Sequence, residues 1–137
     1  VTIFPIARDQ RQPIAEEYKN KGNDCFKAEK YEEAVSFYSK AIKIADKDSR
    51  DLATYLKNRA AAYLKLKEYE KVIQDCDASL NIIPEDPKTL FRRSQALETI
   101  AAACLARIYE NMYYDQARER FNNQVDEFVK DKLLSPD

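Results

Sequence analysis

Apolar and small residues recur along this chain at helical spacing, and the same order of positions returns more than once. From Lys57 to Leu66 the sequence Lys-Asn-Arg-Ala-Ala-Ala-Tyr-Leu-Lys-Leu places the small Ala60 three residues before the aromatic Tyr63. A second helical segment opens at Tyr69 and carries Val72, Cys76 and Ser79 on one face before Pro84 stops it. One helical hairpin cannot bury its apolar face alone, so copies are expected. Upstream, Gly22 stands in the place of Ala60, and Tyr31, Ala34, Tyr38 and Ala41 match Tyr69, Val72, Cys76 and Ser79. Downstream, Pro87 to Leu97 repeats the first helix with Ser94 in the small slot. The step from Ala60 to Ser94 is 34 residues, and the step from Gly22 to Ala60 is 38. The four extra residues fall near Lys47–Arg50.

The pattern predicts five helices and then a change. Helix one starts after Pro13 and runs to about Ala28, and helix two runs from Tyr31 to about Ala45. Helix three spans Leu52 to Leu66 with Asp51 as its N-cap, and helix four spans Tyr69 to Ile82. Asp86 caps helix five, and Pro87 suits its first position. A third hairpin should then turn after Ile100, but the aromatic positions near 103 and 110 hold Ala103 and Glu110. Ala101–Met112 reads instead as continuous helix with Leu105, Ile108, Tyr109 and Met112 on one face. Asp115 is expected to cap a last helix bearing Ala117, Phe121, Val125 and Phe128, with Pro136 beyond its end. Residues 1–13, with Ile3, Phe4 and Ile6 between prolines, read as an extended leader or arm. The expected organisation is therefore an arm over 1–13, a repeat domain over 14–100, and C-terminal helices over 101–137. Those last helices are either a shifted partner for the third repeat or part of another domain.

Composition narrows the class. Of 137 residues one is Gly and five are Pro, and β-branched runs are scarce, so the fold class is all-α. A net charge of −1 gives no general attraction to nucleic acid or to an anionic membrane. No apolar run reaches the length of a membrane span, and nothing resembles a signal peptide. With three Cys and no His, no zinc site, cofactor or Cys-x-x-Cys pair is expected. Cys25 and Cys76 fall at inward-facing repeat positions and read as small core residues of a protein from a reducing, cytoplasmic compartment. No Gly-rich phosphate loop and no nucleophile–base pair stand out, so no enzyme is expected.

The candidate chemistry lies on the first helices of the repeats. Lys19 and Asn23 are one turn apart, as are Lys88 and Arg92 two repeats later, and Asn58 takes the middle-repeat position equivalent to Arg92. In a stacked array these positions line the concave side, so three cations and two amides converge on one groove and ask for an anionic ligand.

These residues carry a resemblance. The repeat pattern resembles the tetratricopeptide (TPR) domains of heat-shock co-chaperones over about Glu16 to Glu98, with helical hairpins stacked as a right-handed superhelix of about three repeats. Lys19, Asn23, Asn58, Lys88 and Arg92 match the dicarboxylate clamp of that family. The resemblance implies binding of the C-terminal Glu-Glu-Val-Asp tail of cytosolic heat-shock protein 90 or 70, through its last side chain and its free carboxylate. Phe26 and Leu64, at equivalent repeat positions, would offer apolar wall to the peptide's Val or serve hairpin packing. Leu56–Leu66 and Leu90–Glu98 look most like the N-terminal domain of UCS-type myosin chaperones, which implies a role in myosin folding and assembly exercised through regions outside this chain. Residues 101–136 resemble armadillo-type helices, with the change at Ile100–Ala101. The alternative is a TPR assembly scaffold that binds another protein without a carboxylate clamp.

Overall fold

A computed structural model describes residues 5–133; Ile3, Phe4 and Pro136 lie outside the described residues. Five helices follow one another: α1 (Arg8–Lys27), α2 (Tyr31–Ile44), α3 (Arg50–Lys65), α4 (Tyr69–Ile82) and α5 (Pro87–Leu133). No strand occurs among the described residues. The backbone divides into two compact units, residues 1–99 and 100–137.

In the first unit α1 and α2 form one hairpin, α3 and α4 a second, and α5 opens in register with the first helix of a third. The two hairpin turns are built alike. In the first, the Lys30 N–H donates to the Cys25 carbonyl (2.8 Å) and the Glu29 N–H to the Phe26 carbonyl (3.0 Å). In the second, Glu68 and Lys67 donate to Tyr63 (3.0 Å) and Leu64 (3.1 Å). This double bond closes a helix end when the residue after the cap turns left-handed. Glu29 and Lys67 do so at φ 60° without being glycine.

The small slots set the packing. Gly22 lies under the ring of Tyr38, and a Cβ there would sit 2.6 Å from Cε1 and 2.7 Å from Cδ1. Ala34, Tyr38 and Ala41 of α2 and Val72, Cys76 and Ser79 of α4 are all buried, as the repeat pattern requires. Ala60, Val72, Cys76 and Ala96 make one core cluster, so the start of α5 packs on the second hairpin. Burial pushes the Cys76 thiol up to about 11, which keeps it protonated and inert. Within the second hairpin Arg59 grips Asp75 through two bonds of 2.7 Å, and it reaches across to Ser39 of α2 at 3.0 Å. Asp75 is only 5% exposed, so the pair works where water screens it little.

Several boundaries differ from the sequence reading. Helix α1 begins at Arg8, with Pro13 inside it, rather than after Pro13. Pro13 has no N–H for the Asp9 carbonyl. The turns before it are held from outside, by Arg8 and Arg11 on Asp46 (3.4 and 3.5 Å) and by Gln12 on Asp51 (2.6 Å). Ser49, not Asp51, caps α3, accepting the Leu52 N–H at 3.1 Å. Asp51 instead lies in the first turn, where a negative charge suits the helix dipole. Asp86 caps α5 as expected: its carboxylate accepts the Thr89 N–H (2.9 Å) and hydroxyl (2.6 Å). Ser94 is exposed, unlike Gly22 and Ala60.

The second unit is helical throughout its described residues, and Asp115 lies inside α5 rather than at a helix start. Its large side chains, among them Leu105, Ile108, Met112, Phe121 and Phe128, are exposed. Met112 and Phe121 are nine residues apart, half a turn round the helix, so the two apolar stripes of this stretch lie on opposite sides.

Candidate carboxylate-binding groove

Helices α1, α3 and α5 each contribute side chains to one groove of the first unit. It has a volume of about 400 Å³ and is lined by Phe26, Ala61, Leu64, Lys65, Lys88, Phe91, Arg92 and Gln95. Three of these are cations and none is acidic. Four of the seven residues singled out from the sequence, Phe26, Leu64, Lys88 and Arg92, therefore meet in one place. Lys19, Asn23 and Asn58 do not line this cavity.

Arg92 is the most buried charge in the groove. It is half-buried, and among the described residues its side chain makes one hydrogen bond, from Nη1 to the Lys57 carbonyl at 3.1 Å, beside Asn58. A guanidinium has five N–H donors, so most of its capacity is open. No acid pairs with it among the described residues, whereas Arg59 of α3 is paired with Asp75 through two hydrogen bonds. Burial holds the Arg92 pKa below the ordinary arginine value, with Cys76, Asp86 and Tyr38 acting in the opposite sense. Lys88 is exposed and likewise has no ion pair among the described residues.

Of the remaining candidates, Asn23 and Lys19 are held by neighbours. Asn23 accepts the Tyr38 hydroxyl through Oδ1 at 2.7 Å, which leaves its NH₂ free to donate. Burial pushes Tyr38 up to about 12, so this hydroxyl keeps its proton, and the nearby Arg92 charge works in the opposite sense. The Lys19 ammonium rests on the Glu16 carboxylate one turn back, and the Tyr55 hydroxyl donates to the other Glu16 oxygen at 3.4 Å. Asn58 is half-buried and makes no side-chain hydrogen bond among the described residues. Lys57 beside it pairs with Asp86 at 3.4 Å.

Sequence reasoning overlooked Lys65 and Phe91. Lys65 follows Asn58 by seven residues, two turns on, and that spacing was available as a signal. Phe91 is 64% exposed and takes the repeat position held by Lys19 and Lys57, so an aromatic there breaks the pattern of the other repeats. What the groove offers is a cationic, donor-rich side next to apolar wall. No helix among the described residues is long and apolar enough to cross a membrane, and no three His, Cys, Asp or Glu side chains are grouped to hold a metal.

Comparison with known proteins agrees with this architecture. Residues 14–85 match the tetratricopeptide repeat family. The chain is 36% identical over 131 residues to the human mitochondrial import receptor subunit TOM70, covering 88% of this chain and 20% of that protein. It is 32% identical over 115 residues to the Saccharomyces cerevisiae Hsp70/Hsp90 co-chaperone CNS1, covering 82% of this chain and 30% of that one. It is also 32% identical over 125 residues to mouse protein unc-45 homolog B, covering 85% of this chain and 13% of that one. The chain thus spans a minor part of each relative. Among solved structures, the second TPR of Spaghetti (RPAP3) bound to the HSP90 peptide SRMEEVD superposes with a TM-score of 0.60 at 32% identity, over 69% of this chain and 85% of that one. The second TPR domain of human RPAP3, in complex with the HSP70 peptide SGPTIEEVD, gives 0.61 at 32% identity, over 67% and 73%. With hairpin register, small slots and family match in agreement, the chain belongs to the tetratricopeptide repeat family, as an all-helical domain homologous to those that bind Hsp90 and Hsp70 peptides.

Proposed function

We propose that this domain is the peptide-binding module of a co-chaperone, taking the C-terminal Glu-Glu-Val-Asp tail of heat-shock protein 90 or 70 in a dicarboxylate clamp. The observation that carries the reading is Arg92: a half-buried guanidinium with one backbone bond and no acid partner among the described residues, beside Lys88 in a groove with apolar wall. A terminal Asp brings two carboxylates on one residue. Arg92 and Lys88 meet them from α5, and the amides of Asn23 and Asn58 donate from α1 and α3. Lys19 exchanges Glu16 for the ligand. Phe26 and Leu64, with Phe91 at the rim, pack against the apolar side chain that precedes the terminal residue.

The energies are adequate for a short peptide. Charge-assisted hydrogen bonds contribute about 1.5–3 kcal/mol each, and the exposed Lys88 contributes less because water screens it. After the ordering of the peptide is subtracted, a few such bonds correspond to a Kd of roughly micromolar. The module catalyses nothing in this reading; it tethers. The homology to RPAP3 and CNS1 supports the chaperone-tail partner. The UCS-type resemblance of the sequence, joined by the similarity to unc-45 homolog B, favours a myosin chaperone of the cytoplasm.

The site is tested by titrating ¹⁵N-labelled protein with acetylated Met-Glu-Glu-Val-Asp. The side-chain amides of Asn23 and Asn58 and the Arg92 Nε resonance are expected to shift together along one saturable curve. Shifts absent there, or confined to the exposed Leu90–Leu97 face, would replace the clamp with the assembly-scaffold reading.

A further inference from the structure

We infer that Tyr38 is the positioning residue of the groove, its buried hydroxyl locking the Asn23 amide with the NH₂ turned toward the ligand. This role rests on the clamp reading above and concerns one of its donors. Tyr38 belongs to α2, whose side chains do not line the groove. It reaches the site only through the bond its hydroxyl donates to Asn23 Oδ1 at 2.7 Å.

The geometry is over-determined. The Tyr38 ring is 2% exposed and is packed with Ala34 and Ala62, with Cys25, Phe26 and Val35 around them. Its face lies on Gly22, where a Cβ would come within 2.6 Å of Cε1, and Asn23 is the next residue in the chain. Gly22 therefore makes room for the ring, and the ring delivers the hydroxyl to the neighbouring amide. The ring is held by its packing, so the phenol oxygen stays beside the amide, and its O–H donates to Asn23 Oδ1. A primary amide has an acceptor end and a donor end. With the acceptor end engaged, the donor end faces outward; without that bond the amide turns freely and presents its oxygen to an incoming carboxylate for part of the time. The second hairpin provides the contrast. Cys76 takes the position of Tyr38 and Ala61 that of Asn23, so the hydroxyl–amide pair has no counterpart there.

The test is Tyr38→Phe, which keeps the ring and removes the hydroxyl. Wild-type and variant proteins are titrated calorimetrically with acetylated Met-Glu-Glu-Val-Asp and with its C-terminal amide. The expected result is a loss of about fivefold to tenfold in affinity for the acid, the scale of one hydrogen bond, and little change for the amide. Added to Asn23→Ala, the Tyr38→Phe change should cost nothing further. A merely structural role would weaken both peptides alike and would act equally in the Asn23→Ala background. A full acid preference in Tyr38→Phe, or a gain in affinity, overturns the inference and leaves the clamp standing. Loss of acid preference already in the wild type overturns the clamp and this role together. A reading without peptide is the Asn23 side-chain amide spectrum: its NH₂ shifts should move toward those of a freely turning, solvated asparagine in Tyr38→Phe, and an unchanged spectrum contradicts the lock.

Discussion

Replacing Gly22 by Ala sets two opposite effects against each other. On helix propensity alone the change stabilises, by about 1 kcal/mol for an interior glycine. Against that stands the Tyr38 ring, which the new methyl would meet at 2.6, 2.7 and 3.1 Å from Cε1, Cδ1 and Cζ. Carbon atoms rest comfortably at about 3.5–4.0 Å, so ring or helix must move by nearly an ångström. The ring cannot swing into solvent, because it is buried on every side. Overpacking of this kind costs about 1–3 kcal/mol, and displacing the hydroxyl from Asn23 adds about 1 kcal/mol. The expected balance is a net loss of about 1–3 kcal/mol, once propensity is subtracted. Urea unfolding followed by near-ultraviolet tyrosine circular dichroism reads it as a lower midpoint with an unchanged slope. In a Tyr38→Ala background the same change should become stabilising, since only propensity remains. A higher midpoint for Gly22→Ala in the otherwise native chain would refute the close-packing argument.

Other consequences are equally direct. Arg59→Ala leaves the Asp75 carboxylate buried without its partner and should cost about 3 kcal/mol, near the low end for a broken buried pair because Arg59 keeps some contact with water; chemical denaturation checks it, and Arg59→Ala with Asp75→Ala should cost less than the two single losses summed. Lys67→Gly relieves a left-handed residue and should raise stability by about 0.5–1 kcal/mol, seen as a rise of a few degrees in Tm. The Asp86 carboxylate is held below its ordinary value of 3.8, chiefly by the Thr89 hydroxyl and N–H, with Lys57 adding. Its contribution is therefore complete above that ordinary value and is lost as pH falls through the lowered one. Asp86→Ala should remove that part of the acid-side slope below the ordinary carboxylate value, measured by thermal melts across the acid range.

Much of this fold could be read before any coordinates, because its determinants are local. Gly22 with Tyr38 and Ala60 with Cys76 come from periodicity, and Asp86–Pro87 comes from capping chemistry. Where the reading missed, the deciding contact was distant in sequence. Pro13 sits in a helix whose first turns are tied down by Asp46 and Asp51, more than thirty residues away. Ser49 and Asp51 are both good caps, and only backbone geometry chooses between them. Asp115 was expected to open a helix on the same chemistry, yet the helix passes through it. At the site, Lys88 and Arg92 follow from repeat register, as do Phe26 and Leu64. The Tyr38–Asn23 bond does not, since hairpin packing alone brings α2's ring to α1's amide. Phe91 was passed over because it departs from the lysine pattern that drew attention to its neighbours.

The central claim is that the groove binds a free C-terminal carboxylate. Calorimetric titration with acetylated Met-Glu-Glu-Val-Asp, its C-terminal amide, and the Lys88→Ala/Arg92→Ala double variant addresses it in one series. The account predicts roughly micromolar binding of the acid, with a loss of at least tenfold for the amide and again for the double variant. Equal affinity for acid and amide, or undiminished binding by the double variant, would contradict it.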